Sequence, residues 1–280
     1  MDASTLRVGP GFRLADADPG STPGFATEGR RSPKKHGTAE LESHVGRLAE
    51  LQERLFAAST GGARDAVLLI VQGMDTAGKG GIMRHVVGAV DPQGVVITAF
   101  KKPTEEELAH DFLWRVERRV PAPGLIGVFD RSHYEDVLIG LVRSLASDEE
   151  LERRYGAIVD FERGLVERGI RVVKIMLHVG RDEQKKRLGE RLERPDKHWK
   201  YNPGDVDERL LWDDYQTAYQ VALERTSTEE VPWNVVPADK KWFARLAVQQ
   251  LLIEALESID PQWPAADFDV EHEKERLAGS

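Results

Sequence analysis

The sequence of 280 residues contains no cysteine, which excludes disulfide bonds, cysteine zinc sites and thiol nucleophiles. Long hydrophobic runs are also missing. The longest aliphatic stretch, residues 66–71, is far shorter than the roughly 20 apolar residues of a membrane-spanning helix. The first residues lack the basic start and apolar stretch of a secretory signal. We therefore expect a cytoplasmic protein that does not interact with a membrane.

An excess of positive charge is the third absence. The chain has 39 Lys and Arg residues against 48 Asp and Glu residues, which gives a formal net charge of −9. Dedicated nucleic-acid-binding domains are usually strongly basic, so we expect no nucleic-acid partner. With 40% hydrophobic and 31% charged residues, the composition is that of a globular protein and excludes a disordered or fibrous chain.

Five short apolar runs alternate with segments of helical periodicity. Apolar runs with β-branched members are typical of strands buried on both faces. Their alternation with helices predicts an α/β fold with three layers, in which helices cover both faces of a central parallel sheet. The predicted strands are 66–71, 95–100, 125–129, 172–179 and 233–236. The predicted helices are a segment from residue 38, 81–90, 104–120, 147–168, 182–193, 207–225 and 240–258.

The chain ends differ in composition from the middle. Residues 1–37 contain six glycines and four prolines without apolar periodicity, which predicts an irregular N-terminal arm. We interpret residues 38–262 as a single domain and residues 263–280 as an acidic C-terminal tail with a frayed end.

The sequence GMDTAGKGG follows the first apolar run and contains the pattern G-x-x-x-x-G-K of a phosphate-binding loop. Its glycines allow successive backbone N–H groups to turn toward one centre, and Lys79 adds a full positive charge. A purely structural glycine turn is the alternative. Besides Lys79, we expect phosphate to bind at Gly73, Thr76, Ala77, Gly78 and Gly80.

Two aspartates are candidates for holding a metal ion. Gly80 occupies the position where a phosphate loop usually supplies a hydroxyl to magnesium, so another oxygen must replace it. Asp75 lies inside the loop, and Asp130 ends the third predicted strand at the same edge of the sheet. Each has an alternative role as a helix cap. We predict that both aspartates hold Mg²⁺, with Mn²⁺ as a second candidate.

Charged residues near these aspartates have two interpretations each. Arg131 is suited to bridging phosphates, or it forms an ordinary surface ion pair. Glu135 falls in the first turn of a predicted helix, where an acidic side chain is favoured whatever its function. Lys101 and Lys102 follow the second predicted strand and should face the same edge of the sheet.

Residues 181–200 contain eight Lys or Arg residues. Such a run is usually a solvated helix face. However, Arg187 and Arg191 are four residues apart, so on a helix their guanidinium groups share one face despite their repulsion. An anionic partner would relieve that repulsion. Prolines after this helix predict a hinged lid, about 181–205, over the phosphate loop.

Six strings resemble the polyphosphate kinase 2 family: GMDTAGKGG, AFKKPTEEELAHDFLWRV, FDRSHYEDVL, RLERPDKHWKYNPGDVDER, WDDY and VPWNVVPADKKWFARL. The resemblance implies a phosphate-loop kinase fold related to thymidylate kinase, with a helical lid. It implies magnesium-dependent phosphate transfer between inorganic polyphosphate and nucleotides, and a homodimer or homotetramer. The functional positions that it implies are Asp75, Lys79, Asp130, Arg131, Glu135, Arg187 and Arg191.

A linear polyanion requires a channel lined by positive charge. Besides the lid arginines, the side chains expected to supply it are Lys101, Lys102, Arg115 and Arg118. The expected acceptors are AMP and ADP, which give ADP and ATP, with GDP as a further candidate. Two other functions remain open: an ATP-dependent nucleotide or small-metabolite kinase, and a non-catalytic sensor of polyphosphate or nucleotides.

Overall fold

The computed structural model of the chain describes residues 1–26 and 32–280. In these residues, five parallel strands form one sheet in the order β2-β3-β1-β4-β5. The strands are β1 (Ala66–Gln72), β2 (Val95–Ala99), β3 (Ile126–Asp130), β4 (Ile170–His178) and β5 (Trp233–Pro237). All five predicted strands are confirmed, with each end within two residues of its expected position.

Helices cover both faces of the sheet, so the expected three-layer α/β fold is confirmed. Helices α1, α2, α3 and α11 pack together on one side, and α6, α7 and α10 pack together on the other. The helices are α1 (Pro33–Ser43), α2 (Val45–Thr60), α3 (Lys79–His85), α4 (Glu105–Leu108), α5 (Trp114–Glu117), α6 (Glu135–Val142), α7 (Asp148–Glu167), α8 (Arg181–Glu193), α9 (Gly204–Leu210), α10 (Trp212–Thr226), α11 (Lys241–Ile259) and α12 (Val270–Ala278).

The core forms around strand β1, in which all seven residues are buried. This strand has a parallel neighbour on each side, and its side chains alternate between the two helical layers. Burying one such aliphatic side chain contributes about 1.5–3 kcal/mol relative to leaving it exposed. The uninterrupted apolar run that indicated a doubly covered strand therefore becomes the centre of the fold.

The N-terminal segment packs against the sheet, which corrects the expectation of an irregular arm over residues 1–37. Ala3 and Leu6 in one 3-10 helix and Leu14 in another are buried in the core. The backbone N–H of Val8 donates to the carbonyl of Trp233 in β5 at 2.8 Å. Helix α1 begins at Pro33 because proline suits the first turn of a helix. Residues 27–31 of the expected arm lie outside the described residues.

Several predicted helices have different limits in the structure. The segment from residue 38 forms two helices, and 104–120 forms only the short helices α4 and α5. The segment 207–225 divides at Leu211 into α9 and α10. The C-terminal tail contains α12, whose first turn is capped by Asp269, where we expected a frayed end. Short backbone interruptions do not alter apolar spacing, so the sequence pattern did not show them.

Among the described residues, no helix combines the length and apolar character needed to cross a membrane.

Candidate active site

The carboxyl ends of β1 and β3 place the two predicted motifs side by side. In the parallel pairing of these strands, Val71 lies opposite Asp130. The backbone N–H of Arg131 donates to the carbonyl of Val71 at 3.2 Å. The loop that leaves β1 therefore emerges beside Asp130, at the edge where open α/β sheets bind their ligands.

The backbone of the phosphate loop has positive φ angles, which its glycines adopt easily and its threonine does not. Gly73 and Gly78 have φ angles of 151° and 121°, a region that favours glycine. A Cβ atom on Gly73 would lie 2.8 Å from the carbonyl oxygen of Leu177, which is too close. Thr76 has a φ of 62°, which is strained for a β-branched residue. These torsions fold residues 73–78 into a compact turn before α3.

Lys79 lies at the centre of this turn. Its Nζ donates to the carbonyl of Gly73 at 2.6 Å and to that of Met74 at 3.5 Å. Burial lowers the pKa of Lys79, and the carboxylates of Asp75 and Asp130 oppose this effect. The structure thus brings Lys79 close to both aspartates that the sequence singled out.

An ion-pair chain connects the loop with helix α6. Arg131 Nη2 lies 2.9 Å from Asp75 Oδ1, and Arg131 Nη1 lies 3.4 Å from Glu135 Oε2. Burial by itself would lower the pKa of Arg131, but Glu135 and Asp75 raise it. Burial raises the pKa of Glu135, while Arg131 and Lys79 act in the opposite direction. Asp75 therefore pairs with Arg131, and Gly78 takes the N-cap position of α3.

The two arginines of α8 have different surroundings. Arg187 is buried, and its guanidinium group bonds to the backbone of the phosphate loop. We expected Arg187 to contact the transferred phosphate from a lid, but in this structure only 5% of its side chain is exposed. Arg191 is less buried, and its Nη1 lies 3.0 Å from Asp205 Oδ2.

A cationic cavity of about 590 Å³ opens on one side of the phosphate loop. Its walls come from the loop, from α3, from the 3-10 helix Pro195–Lys200 and from the start of α11. Asp75 and Asp130 are the acidic residues in this wall. Its basic residues are Lys79, Arg84, His85, Arg191, Lys197, Lys200, Lys241 and Arg245. Such an excess of positive charge favours a ligand with several negative charges.

A second cavity, of about 230 Å³, is acidic and also has Asp75 in its wall. Arg131 is its basic residue, and its carboxylates are Asp75, Glu135, Asp205 and Glu208. The wall also contains the amides of Gln184 and Asn202, and its apolar and aromatic residues are Met74, Leu138, Ile139, Tyr215 and Tyr219. Burial, together with the charge of Asp75, raises the pKa of Asp205. Mixed walls of this kind suit a small organic ligand with polar substituents.

Four of the predicted phosphate-binding cations lie elsewhere. Lys101 and Lys102 are exposed after β2, and the walls of both cavities are built from other described segments. Arg115 is buried, and it donates to the carbonyl of Lys101 at 2.9 Å and to Asp136 at 3.3 Å. The guanidinium group of Arg118 stacks over Trp114 at 4.7 Å. Arg115 therefore stabilises the segment after β2, which corrects its expected role in a phosphate channel.

The sequence interpretation missed the residues that complete the cavity walls. Asp205 belongs to the string RLERPDKHWKYNPGDVDER, and Tyr215 belongs to WDDY. Arg245 falls within the last string of the resemblance, VPWNVVPADKKWFARL. Membership in these strings was the available signal. Their positions follow from the packing of α9, α10 and α11 around the loop, which apolar spacing does not specify.

The donor set fits a magnesium ion that is shared with a substrate. Among the described residues, no group of three or more His, Asp or Glu side chains is arranged to hold a metal ion. Asp75 and Asp130 nevertheless line the same cavity and offer carboxylate oxygens. Magnesium is commonly held by one or two carboxylates, with substrate phosphates and water as the remaining ligands. The two aspartates match that requirement.

Comparison with known proteins agrees with the geometry of the loop. The family model described as polyphosphate kinase 2 matches residues 31–264. The chain is 43% identical over 253 residues to the AMP/ADP-polyphosphate phosphotransferase of Meiothermus ruber. The aligned region covers 90% of this chain and 91% of that protein. It is 44% identical over 243 residues to the ADP-polyphosphate phosphotransferase of Rhodopseudomonas palustris, with coverages of 82% and 83%.

A solved structure shows the same architecture. The crystal structure of polyphosphate kinase 2 from Arthrobacter aurescens superimposes with a TM-score of 0.96 and a sequence identity of 59%. The match covers 99% of this chain and 96% of that one.

Proposed function

Because the chain belongs to the polyphosphate kinase 2 family, we propose that it transfers phosphate between inorganic polyphosphate and a nucleoside mono- or diphosphate, with AMP and ADP as acceptors. The relatives named above carry AMP/ADP- and ADP-polyphosphate phosphotransferase as their names. The chain is therefore an enzyme of the phosphotransferase class.

The position of Asp75 is the observation that carries this proposal. Asp75 lies in the walls of both cavities, and the two cavities differ in charge. The cationic cavity suits polyphosphate, because each phosphate unit adds a negative charge that the basic wall can neutralise. The acidic cavity suits the nucleotide, whose ribose hydroxyls can donate to carboxylates and whose base can pack on aromatic side chains. The two substrates would meet at Asp75.

The chain's own residues would position the reacting groups. Phosphoryl transfer depends mainly on in-line positioning and on stabilisation of charge. Lys79 and the loop N–H groups would bind the terminal phosphates of the donor. Arg131 would contact the acceptor phosphate from the acidic cavity, and Glu135 would orient its guanidinium group. Arg191 would neutralise charge on the donor from the lid.

Magnesium would bind at Asp75 and Asp130, and Mn²⁺ is a second candidate for the same oxygen ligands. When bound, the ion would neutralise charge on the phosphates of both substrates. Arg131 already pairs with Asp75 at 2.9 Å. Asp75 would then be shared between the ion and Arg131, and a guanidinium group released from Asp75 would be free to bind an acceptor phosphate.

Three further features belong to the proposal. GDP is a further candidate acceptor. The assembly would be a homodimer or a homotetramer, as the family resemblance implies. We expect the reaction to take place in the cytoplasm.

A product assay tests the proposal. Purified protein is incubated with magnesium and polyphosphate together with AMP, ADP or GDP, and the nucleotides are separated by chromatography. We expect ADP and ATP from AMP, and ATP from ADP, without any ATP supplied. Lys79→Ala should abolish the product, whereas Lys274→Ala in α12 removes the same charge far from the loop and should not.

Two other outcomes would contradict the proposal. Phosphorylation of a small acceptor that requires ATP and ignores polyphosphate would indicate an ATP-dependent kinase. Binding of polyphosphate without any product would indicate a sensor.

A further inference from the structure

Helix α8 contacts the phosphate loop through two buried polar side chains, Gln184 and Arg187. Gln184 Nε2 donates to the carbonyl of Asp75 at 3.1 Å. Arg187 Nη1 donates to the next two carbonyls, those of Thr76 at 2.9 Å and Ala77 at 3.1 Å. Three consecutive carbonyl groups of the loop are thus bonded by one helix.

Arg187 uses all of its hydrogen-bonding capacity inside the protein. A guanidinium group has five N–H donors. The partners outside the loop are Glu183 Oε1 at 2.8 Å, the carbonyl of Ala238 at 2.7 Å and the carbonyl of Asp239 at 3.0 Å. Together with the two loop carbonyls, these acceptors account for all five donors. Arg187 therefore joins α8, the phosphate loop and the end of β5.

The orientation of Gln184 is fixed by a second contact. Its Oε1 accepts a hydrogen bond from Arg209 Nη1 at 2.9 Å, and Arg209 also donates to the carbonyl of Arg181 at 2.6 Å. The amide nitrogen of Gln184 must then point toward the loop. A lysine at position 187 or a leucine at position 184 could not reproduce these bonds.

The loop needs such support because its backbone is strained. A threonine with a φ of 62° is strained, and this conformation persists only where the surroundings hold it. The Thr76 hydroxyl is buried without a hydrogen-bond partner among the described residues, so the side chain itself does not stabilise this conformation. The carbonyl of the same residue, however, is bonded by Arg187.

We propose that Gln184 and Arg187 are positioning residues that hold the carbonyl groups of Asp75, Thr76 and Ala77 away from the cationic cavity, so that the loop keeps its anion-binding shape. A carbonyl oxygen that turned toward the cavity would repel phosphate and would replace an N–H donor. The two side chains thus set the affinity of the loop for the polyphosphate end without touching it. The inference rests on the proposed function only for the identity of the donor.

The test combines two measurements on the free protein. The first is hydrogen–deuterium exchange in residues 74–82, where the amide of Ala77 bonds within the turn and those of Gly81 and Ile82 bond to Gly78 at the start of α3. The second is the affinity for tripolyphosphate by calorimetry, without nucleotide. Arg187→Lys keeps the positive charge but loses the planar guanidinium group with its five N–H donors. Gln184→Leu loses only the side-chain amide. Lys185→Ala, an exposed residue of the same helix, is the control.

We expect faster exchange of this segment in both variants. The dissociation constant for tripolyphosphate should rise about tenfold in Arg187→Lys and about threefold in Gln184→Leu, as expected for lost hydrogen bonds of unequal strength. Lys185→Ala should change neither quantity. Unchanged exchange in both variants together with weaker tripolyphosphate binding by Arg187→Lys would mean that Arg187 acts directly on the donor phosphate, and it would overturn the inference. Unchanged affinity in both variants would also overturn it.

Hydrogen–deuterium exchange in β1 distinguishes a local change in the loop from general unfolding, because only general unfolding would also speed exchange in β1. If Arg187→Lys unfolds, Gln184→Leu decides the question, because that variant leaves Arg187 in place. Both measurements are made without an acceptor, so they stand whether or not the wild-type protein transfers phosphate. A wild-type protein that does not bind tripolyphosphate would contradict the donor assignment, while the exchange rates would still test the role of α8.

Discussion

Asp75 and Arg131 are 56 residues apart in the sequence and form an ion pair of 2.9 Å between the phosphate loop and the turn after β3. Arg131 has a φ of 64°, an unusual conformation for a residue other than glycine. This torsion directs the chain away from β3 while the side chain extends back to the loop. The pair lies in the wall of the acidic cavity, and its carboxylate also borders the cationic one.

The pH dependence of activity should depend on Glu135. Burial raises the pKa of its carboxyl group, so the group becomes protonated at a higher pH than an ordinary glutamate. Only the ionised form pairs with Arg131. As the pH falls through this raised pKa, we expect kcat/KM to decrease. Glu135→Gln should have lower activity and should lack that acidic limb, while Glu149→Gln in α7 should keep it. An unchanged limb in Glu135→Gln would assign the titration to another group.

The two cavities should respond separately to substitution. Arg245→Gln removes a charge from the cationic wall and should raise KM for polyphosphate by about 3- to 10-fold, which corresponds to ~0.7–1.4 kcal/mol. It should leave KM for the nucleotide close to that of the wild type. Glu208→Gln alters the acidic wall and should give the reverse pattern. Steady-state kinetics with each substrate varied in turn measures both. An increase in the same KM for both variants would contradict the assignment of the cavities.

The strained torsion of Thr76 predicts a stabilising substitution. Glycine adopts a φ of 62° without strain, although it costs conformational entropy on folding. We expect Thr76→Gly to raise the free energy of unfolding by about 1 kcal/mol. Thr217→Gly, in the middle of α10, should lower it by about 0.5 kcal/mol. Urea unfolding measures both, and a loss of stability in Thr76→Gly would show that the loop is not strained.

A buried ion pair between β4 and α7 should matter for stability. Lys174 Nζ lies 2.6 Å from Glu162 Oε2, and the hydroxyl of Tyr134 donates to Glu162 Oε1 at 2.8 Å. Glu162→Gln leaves the lysine without its counter-charge and should destabilise the fold by about 3–5 kcal/mol. The double variant Glu162→Met/Lys174→Met should recover most of this loss.

The exposed pair of Glu117 and Arg168 is the control for that experiment. Glu117→Gln should change the free energy of unfolding by less than about 1 kcal/mol, because water screens the pair. Equal losses of stability at the buried and the exposed pair would contradict the prediction that burial makes the Lys174–Glu162 pair more important.

The sheet and the phosphate loop could be predicted from the sequence because their signals are local. An apolar run such as 66–71 indicates a buried strand without any information from the rest of the chain. The pattern G-x-x-x-x-G-K likewise indicates a phosphate-binding turn by itself. The surroundings of Arg187 and Arg115 could not be predicted. A charged side chain on an amphipathic helix becomes buried only when carbonyl groups from distant segments, such as Ala238, surround it. The second cavity was missed for a similar reason, because Asp205 and Tyr219 line the same cavity only after α9 and α10 have packed.

The central claim is that phosphate passes directly from polyphosphate to a nucleotide at Asp75. A phosphate balance tests it most directly. Wild-type protein, magnesium, polyphosphate and AMP are followed by ³¹P NMR, which reports polyphosphate, nucleotide phosphates and free orthophosphate together. We predict that each new nucleotide phosphate is matched by one phosphate lost from polyphosphate, with no release of orthophosphate. Orthophosphate release without nucleotide product, or product only after ATP is added, would contradict the account.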